Sequence, residues 1–292
     1  MSVAVIQEKL LSYQCATVLE QEHALKEIAQ EIALMALARA GFFRIAAFQG
    51  GTCLRILYGL ERFSEDLDFV LEHPNPTFGW ENYCKDMSEE FNAYGFSLEV
   101  ADRQKLGNTI KITFLKADSR GGILILKDAR TNKPKLKIKL EIDTNPPNGS
   151  GYELKYLDFP LPYSIRTQNL PSLFAGKCHA LLSRPYIKGR DWYDFVWYVS
   201  RKTPINFELL NNALVQAGPW KGEDFHVSAA WLLKELATKI QEIDWNATKK
   251  DIMRFIRGKE LATLDLWSQD FFLSRLDKLA GYLNTSILDK KK

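Results

Sequence analysis

Two adjacent glycines, followed after one short helical segment by two alternating aspartates, constrain the fold of this chain more than any other feature. The glycines are Gly50 and Gly51, and the aspartates are Asp66 and Asp68. Successive side chains of a β-strand point to opposite faces of the sheet, so the two aspartates share one face while Leu67 points into the core. The pattern therefore predicts a tight turn, a helix, and a strand that presents two carboxylates on one surface.

The chemistry of this pattern indicates a phosphate site. Two carboxylates about 7 Å apart along a strand repel each other unless a cation lies between them. Oxygen ligands of this kind suit Mg²⁺, which usually takes one or two protein carboxylates and completes its shell with water and substrate phosphates. The amides of residues that lack side chains can approach a phosphate closely. We therefore expect a site that binds a nucleoside triphosphate with Mg²⁺, and Asp66 and Asp68 as metal ligands.

A third acidic ligand is expected from a later strand. Residues 137–143 read Lys-Ile-Lys-Leu-Glu-Ile-Asp, so Glu141 and Asp143 share the face opposite the apolar residues. Phosphoryl transfer with two metal ions needs carboxylates from more than one strand. The ordinary alternative for such a segment is an alternating sheet edge whose charged residues face water. We expect either carboxylate to complete the metal site and favour Glu141, which two apolar residues flank directly.

Two arginines and a serine near the aspartates are candidate phosphate ligands. Arg62 and Ser64 lie on the same alternation as the aspartates, so we expect them on the same surface. Arg62 could bind phosphate oxygens with two hydrogen bonds, and a salt bridge to Glu61 or Glu65 is the alternative. Arg55 is either a further phosphate contact or a charge on a helix surface.

A lysine and two aspartates in the second half of the chain form another candidate group. Lys177 and Arg184 are seven residues apart on a predicted helix and therefore lie on one face. Asp191 and Asp194 follow at the start of the next predicted helix. An aspartate at an N-cap with an acid three residues later resembles a capping box, which is the structural alternative for these two. The alternative for Lys177 is an ordinary solvated lysine.

The order of predicted elements indicates an α+β protein with two domains. Hydrophobic periodicity and turn signals predict a mixed sheet with flanking helices over residues 1–165, followed by an all-helical domain over residues 166–292. The predicted strands are 44–49, 66–71, 96–103, 109–115, 123–126 and 135–144. The predicted helices are 19–40, 52–60, 81–94, 171–183, 191–200, 207–217, 226–243, 249–257 and 268–283.

Composition excludes several classes of protein. The four cysteines are scattered without C-x-x-C spacing, which argues against a zinc site and a disulfide framework. Neither a signal-peptide pattern nor an apolar run of membrane-spanning length occurs, so we expect a cytoplasmic protein without a membrane partner. The net charge is only +3, yet residues 101–140 carry eleven Lys and Arg against three Asp. This stretch is either a solvated face or a basic surface for RNA or phosphate.

Taken together, the motifs resemble those of the AbiEii/AbiGii-type toxin family within the DNA polymerase β-like nucleotidyltransferases. The superfamily pattern is a Gly-Gly turn, a helix, Asp-x-Asp and a later strand carboxylate, here Glu141. The closer family blocks are Gly-Gly-Thr at 50–52, Arg-Phe-Ser-Glu-Asp-Leu-Asp at 62–68, Lys-Cys-His-Ala-Leu-Leu-Ser-Arg at 177–184 and Arg-Asp-Trp-Tyr-Asp at 190–194. These four blocks in order make the resemblance specific, and it covers roughly residues 25–200.

The resemblance implies an N-terminal nucleotidyltransferase-like domain followed by a helical domain. It also implies a role for each motif residue. Gly50, Gly51, Thr52 and Ser64 would cradle the triphosphate, Asp66 and Asp68 would bind Mg²⁺, Lys177 would contact the nucleotide phosphates, and Asp194 with Asp191 would orient the acceptor or the lysine.

The resulting hypothesis is a Mg²⁺-dependent nucleotidyltransferase that acts as the toxin of a bacterial toxin–antitoxin or abortive-infection system. It would transfer a nucleoside monophosphate from a nucleoside triphosphate to RNA, with the 3′ end of tRNA as the first choice. A separately encoded antitoxin is the expected protein partner. The alternatives are transfer to a protein hydroxyl, and a nucleotide-binding regulatory protein without catalysis.

Overall fold

The structure is a computed structural model that describes most of the chain. The described residues are 2–102, 119–128, 134–224 and 226–289. The strand predicted at 109–115 lies outside the described residues, as do parts of the basic stretch 101–140.

The chain divides into two compact units. The first comprises Met1–Gly59, Phe63–Pro146 and Tyr152–Thr167, and the second comprises Leu60–Arg62, Pro147–Gly151 and Gln168–Lys292. The main division therefore falls after Thr167. Two short segments that precede Thr167, Leu60–Arg62 and Pro147–Gly151, also belong to the second unit.

A mixed sheet forms the centre of the first unit, with seven strands in the described part of the chain. The strands are β1 (Ala46–Gln49), β2 (Asp66–Leu71), β3 (Phe96–Asp102), β4 (Ser119–Asp128), β5 (Pro134–Asp143), β6 (Tyr152–Leu157) and β7 (Tyr163–Gln168). Their order across the sheet is β3-β4-β5-β2-β1-β7-β6. Strand β2 pairs antiparallel with β1 and parallel with β5. The strand that carries the two aspartates is thus central in the sheet.

The helices of the first unit accompany this sheet. They are α1 (Ser2–Ser12), α2 (Val18–Arg39), α3 (Gly50–Tyr58) and α4 (Glu81–Ala93). Helix α2 is fixed at both ends by its sequence. The Thr17 side chain accepts a hydrogen bond from the Glu20 amide, which satisfies one N-terminal donor. Gly41 follows the last turn with φ +76°, a left-handed conformation that glycine adopts without steric cost.

An aromatic cluster fixes the strands that lead to the candidate site. Phe42 is fully buried in a short 3₁₀ turn directly before β1. Its ring lies 4.9 Å from that of Phe69 on β2 and 5.5 Å from that of Trp80, centroid to centroid. Edge-to-face and offset contacts of this kind stabilise a core beyond the area they bury. The cluster therefore holds β1 and β2 in a fixed relation.

The second unit is built mainly of helices. They are α5 (Leu170–Ser183), α6 (Gly189–Ser200), α7 (Phe207–Gln216), α8 (Ala229–Gln241), α9 (Trp245–Met253), α10 (Lys259–Thr263) and α11 (Gln269–Asp289). Asn169, Asn206, Ser228 and Asp244 cap α5, α7, α8 and α9 through their side chains. The rings of Trp245 and Phe272 stack at 3.9 Å in the core.

The predicted fold class is confirmed, since a mixed sheet with flanking helices precedes a helical unit. The strand predicted at 66–71 has the observed bounds of β2. Helix α3 begins at the glycines themselves, whereas the sequence predicts a start after them. The sequence does not predict α1 or α10, and α10 has only five residues, too few to show a helical period. No described helix is both long and apolar enough to cross a membrane.

Candidate active site

The Gly-Gly turn brings the start of α3 against the aspartate strand. Gly50 is the first residue of the helix and has φ +81°. A Cβ atom on Gly50 would lie 2.5 Å from Asp68 Oδ2, closer than any real Cβ contact. Glycine is therefore required here for two reasons, the left-handed backbone and the approach of the Asp68 carboxylate.

Two side chains fasten this helix start to the strands. The Thr52 hydroxyl, buried in the first turn of α3, donates to the backbone carbonyl of Asp66. Gln49 is the N-cap residue of α3, but its side-chain amide donates to the Phe69 carbonyl over 3.0 Å instead of capping the helix. The first amides of a helix lack partners within the helix and carry partial positive charge. The first turn of α3 therefore offers the geometry that binds anions in other proteins.

The register of β2 and β5 places acidic residues side by side. Asp68 pairs with Glu141, and Asp66 pairs with Lys139. Residues that pair in register lie on the same face, so the two aspartates, Glu141 and Lys139 share one surface. The Lys139 ammonium lies 2.5 Å from Glu141 Oε1. The four side chains are partly exposed, so this charged surface is accessible to a ligand.

Asp143 has a different environment from Glu141. Its pair in the register is Val70, two residues beyond Asp68 on β2. Its Oδ1 atom accepts a hydrogen bond from the Asn145 amide over 3.1 Å, an Asx-type turn at the end of β5. The sequence leaves Glu141 and Asp143 open as the third acidic ligand, and this register favours Glu141.

The donor set on this face is compatible with Mg²⁺. Among the described residues, no group of three or more His, Cys, Asp and Glu side chains is arranged to hold a metal ion. Mg²⁺ does not need such a cage, because one or two carboxylates together with water and substrate phosphates satisfy it. Asp66 and Asp68 on neighbouring positions of one face, with Glu141 beside Asp68, offer oxygen donors of this kind. The metal site therefore stays a prediction, with these residues as the donors that fit.

Arg55 and Ser64 are tied to the long helix of the first unit. Arg55 Nε lies 2.8 Å from a carboxylate oxygen of Glu27 on α2, and its guanidinium lies 4.6 Å from the centre of the Phe63 ring. The Ser64 carbonyl accepts a hydrogen bond from the Gln30 side chain over 3.2 Å. A phosphate contact by Arg55 or by the Ser64 side chain stays a prediction. Arg55 already has an anionic partner, and the hydrogen bond described for Ser64 involves only its backbone carbonyl.

In the second unit, Lys177 lies between two buried carboxylates. Its ammonium is 2.6 Å from Asp191 Oδ1 and 2.8 Å from Asp194 Oδ2. The guanidinium of Arg184 also contacts the Asp191 carboxylate. Lys177 and Arg184 are therefore on one face of α5, as their spacing predicts, and both face α6. The ordinary explanation of Lys177 as a solvated lysine is wrong, since only 13% of its side chain is exposed.

Arg62 completes this ion-pair network in the second unit. Its Nε and Nη2 atoms donate to the two oxygens of Asp194 over 2.6 and 2.7 Å, a bidentate arrangement. Arg62 is 2% exposed and Asp194 is fully buried. The expectation that Arg62 and Ser64 continue the strand alternation is wrong, because β2 begins at Asp66. The carboxylate in this bidentate contact belongs to Asp194. It does not belong to Glu61 or Glu65, the alternatives proposed from the sequence.

Burial and ion pairing act in opposite directions on these charges. Burial raises the pKa of Asp194, but Arg62 and Lys177 together lower it by more than burial raises it, so the pKa lies below the usual 3.8. Burial likewise raises the pKa of Asp191, while Lys177 and Arg184 lower it, again with a net decrease. Asp194 holds the pKa of Arg62 above its usual value despite burial. Both carboxylates and the Arg62 guanidinium are therefore charged at neutral pH.

The capping-box explanation of Asp191 and Asp194 is wrong. Helix α6 begins at Gly189 with Lys188 as the N-cap residue, so Asp191 lies inside the first turn. The Gly189 amide is satisfied instead by the Asp251 carboxylate from α9, over 2.8 Å. Neither aspartate is the N-cap of α6. Asp191 binds Lys177 and Arg184, and Asp194 binds Lys177 and Arg62.

The comparison with protein families identifies the class to which this chain belongs. Residues 32–275 match the family described as nucleotidyl transferase AbiEii toxin of type IV toxin–antitoxin systems. The chain therefore belongs to this family, and it is a nucleotidyltransferase. The resemblance drawn from the four motifs is confirmed. Membership implies a nucleotide substrate and an antitoxin partner. No curated protein matches the chain significantly.

A solved structure shows the same fold. The crystal structure of JHP933 from Helicobacter pylori is 17% identical and superposes with a TM-score of 0.50, covering 90% of this chain and 97% of that one. An antigenic nucleotidyltransferase-like protein from Paracoccidioides brasiliensis is 12% identical, with a TM-score of 0.40 over 80% of this chain and 96% of that one. At 17% identity, the similarity to JHP933 supports the fold and does not extend to function.

Substitution of Gly50 by alanine should impair nucleotide binding. The added methyl group would meet Asp68 Oδ2 at 2.5 Å and must displace either the helix start or the carboxylate. We expect affinity for a nucleoside triphosphate, measured by isothermal titration calorimetry with Mg²⁺, to fall about tenfold or more, which corresponds to ~1.4 kcal/mol.

Gly59→Ala is the matched control for this substitution. Gly59 lies at the other end of α3 with φ +73°, and in the described part of the chain no atom beyond its own chain neighbours lies within 4 Å of the added Cβ position. Both variants should lose roughly 1–2 kcal/mol of stability from the left-handed backbone. Equal nucleotide affinity in the two variants would contradict the proposed role of the turn.

Substitution of Asp194 by asparagine should destabilise the second unit strongly. The change removes a charge that faces Arg62 and Lys177 in a buried site, and a buried pair that loses one partner typically costs about 3–5 kcal/mol. Urea unfolding followed by circular dichroism measures the loss. Glu89→Gln is the control, because its pairing with Lys85 is exposed and should contribute no more than about 1 kcal/mol.

The pH dependence gives a second readout of the same carboxylate. Because the pKa of Asp194 is lower in the folded state, its stabilising contribution is complete above the usual pKa of 3.8 and is lost as the pH falls below that value. Wild-type protein should therefore lose stability more steeply below this pH than Asp194→Asn does. Parallel acid-unfolding profiles would show that Asp194 carries no such linkage.

Proposed function

We propose that this nucleotidyltransferase is Mg²⁺-dependent and transfers a nucleoside monophosphate from a nucleoside triphosphate to RNA, with the 3′ end of tRNA as acceptor. The observation that carries this proposal is the helix start of α3 held against Asp68, with Glu141 beside that aspartate in the sheet. Partial positive charge and oxygen donors thus lie together, and a metal-bound triphosphate needs both.

The first unit would bind the triphosphate. The first amides of α3, at Gly50, Gly51 and Thr52, would donate to phosphate oxygens, and Ser64 is a further candidate donor. Asp66 and Asp68 would hold Mg²⁺, which supplies neutralisation of phosphate charge when it is bound, and Glu141 is the candidate for a third ligand. The Gly50 conformation supports this role, since it lets the backbone approach a ligand without a side chain in the way.

The second unit would supply a positioned cation. Lys177 would contact the nucleotide phosphates, and Asp191 and Asp194 would hold its ammonium in place. The two short contacts of Lys177 with these carboxylates support a fixed position for its charge. A cation whose position is fixed before the substrate binds stabilises developing phosphate charge without reorganisation. Arg62 acts in this account through Asp194, as a positioning residue, and not as a phosphate ligand.

The transfer itself is an in-line displacement at the α-phosphorus. The acceptor 3′ hydroxyl oxygen forms the new bond to phosphorus, its proton passes to a β2 carboxylate, and the bond between the α-phosphorus and the bridging oxygen breaks. Pyrophosphate leaves with the electrons of that bond. Each turnover yields one pyrophosphate and an RNA product that is longer by one nucleotide.

A basic stretch of the sequence favours RNA over a protein acceptor. Residues 101–140 carry eleven Lys and Arg against three Asp, and a surface that neutralises phosphates binds nucleic acid with a strong dependence on salt. A toxin that modifies tRNA would block translation, which fits the toxin–antitoxin family of the chain. The antitoxin would then limit this activity in the cell.

Substitution of Asp68 by alanine should abolish transfer without unfolding the protein. Purified protein, Mg²⁺, each α-³²P-labelled nucleoside triphosphate and total bacterial RNA with cell extract are incubated and resolved on a denaturing gel. Wild-type protein should label a tRNA-sized band, and Asp68→Ala should lower the rate at least about 100-fold. Asp86→Ala, which removes an exposed carboxylate on α4, should transfer at the wild-type rate.

Other outcomes of this gel have definite meanings. Label on a protein band would replace RNA by a protein hydroxyl as the acceptor. Full activity of Asp68→Ala would refute the assignment of the β2 aspartates.

Glu141→Gln and Asp143→Asn should differ in their demand for metal. Because Glu141 pairs with Asp68 and Asp143 serves the turn at Asn145, only Glu141→Gln should raise the Mg²⁺ concentration for half-maximal transfer, by about tenfold or more. A Mg²⁺ titration of the transfer rate measures the difference. A larger shift in Asp143→Asn would reassign the third ligand.

A further inference from the structure

The second unit contains a cavity that the proposed chemistry does not use. It has a volume of about 160 Å³ and lies where the end of α5, the turn at residues 184–188, the start of α6 and the end of α8 meet. Its charged lining residues are Arg184, Lys188, Asp191, Lys239 and Glu242.

Three cations and two carboxylates line this cavity, but their charges are not equally available. Asp191 is buried and contacts Arg184, which also lines the cavity, and Lys177, which does not, so its charge is already paired. Glu242 is more exposed and lies 3.7 Å from Lys239. The local field that a ligand meets is therefore positive, and it favours a phosphate or another anion.

An aromatic and an aliphatic side chain stand exposed at the cavity rim. Tyr186 is 39% exposed and Ile187 is 47% exposed, both in the turn between α5 and α6. The Lys188 ammonium lies 5.4 Å from the centre of the Tyr186 ring. Exposed aromatic rings beside lysines and arginines are the usual platform for single-stranded nucleic acid, because bases stack on the ring while cations follow the backbone.

The cavity shares one residue with the proposed site. The Asp191 carboxylate lines the cavity and also holds the ammonium of Lys177 at 2.6 Å. Arg184, which contacts the other oxygen of Asp191, is a cavity residue as well. A phosphate that binds Arg184 would therefore act directly on the carboxylate that positions Lys177.

We propose that this cavity binds one nucleotide of the acceptor RNA, with its base on Tyr186 and its phosphate at Lys188, Lys239 and Arg184. The inference rests on the proposed function in one respect, namely that the acceptor is RNA. It adds a subsite for that RNA within the helical unit and links occupancy of the subsite to Lys177 through Asp191.

The test measures RNA binding without any nucleoside triphosphate, so it does not depend on transfer. Fluorescence anisotropy with labelled tRNA and with a labelled single-stranded oligonucleotide gives the affinity at several salt concentrations. Tyr186→Ala should weaken binding by roughly 5- to 150-fold, the range for loss of one stacked base. Lys188→Gln combined with Lys239→Gln should lower the slope of log affinity against log salt by about 1.4, or 0.7 for each phosphate contact on a single strand.

Matched variants separate this site from general effects of charge and exposure. Lys234→Gln removes an exposed lysine from the same helix as Lys239, and Tyr156→Ala removes a 79% exposed ring from β6. Both should bind RNA like the wild type. Glu242→Gln should tighten binding, because it removes the carboxylate that faces Lys239. Cations near helix C-termini also stabilise the helix dipole, and this binding assay is insensitive to that role.

The outcomes distinguish this inference from the proposed function. Wild-type affinity in Tyr186→Ala and in the double lysine variant would overturn the subsite, even if tRNA is labelled in the transfer reaction. Equal losses in the control variants would overturn it too, as would the absence of RNA binding by the wild type. Cavity-dependent RNA binding without nucleotidyl transfer would support the subsite and count against the proposed reaction. Label that appears on a protein while RNA fails to bind would contradict both.

Discussion

The arrangement of the buried charges in the second unit rests on close pairing of opposite signs. Asp191 binds Lys177 and Arg184, and Asp194 binds Lys177 and Arg62. Removing ions from water costs several kcal/mol each, and only close partners with good geometry offset that cost. Replacing such a network by apolar residues often leaves stability unchanged or higher. Its presence is thus weak evidence for a role in stability, and it is compatible with the functional role proposed for the Lys177 charge.

In the first unit, by contrast, side chains of like charge lie close together. Asp66 and Asp68 lie on a central strand, with Glu141 in register beside Asp68. Lys139 contacts Glu141, and the start of α3 lies against Asp68. The protein's own positive groups thus offset part of the acidic charge on this face. In the proposed reaction a divalent cation would relieve the remaining repulsion, and the triphosphate would bind through that cation.

Local patterns in the sequence predict the fold and the local geometry around the two β2 aspartates well. Strict alternation and flanking apolar residues define β2 to the residue, and Gly50-Gly51 predicts a turn that only glycine can make. The sequence fails where a partner is distant, since Arg62 and Asp194 are 132 residues apart. Alternation extended beyond the strand puts Arg62 on the wrong surface. Asp191 and Asp194 match a capping box by spacing alone, but Asp251 from α9 satisfies Gly189 instead. Long-range pairing of buried charges has no local signature.

The central claim is that Lys177 is a functional cation and not merely a counter-ion. Lys177→Met tests it directly, because Asp194 keeps Arg62 and Asp191 keeps Arg184 as partners, so the variant should fold. The measurement is the single-turnover rate of nucleotidyl transfer to tRNA, with urea unfolding on the same preparation. We expect a rate at least about 100-fold below wild type from a folded protein. Transfer at the wild-type rate would contradict it and leave Lys177 as a structural residue.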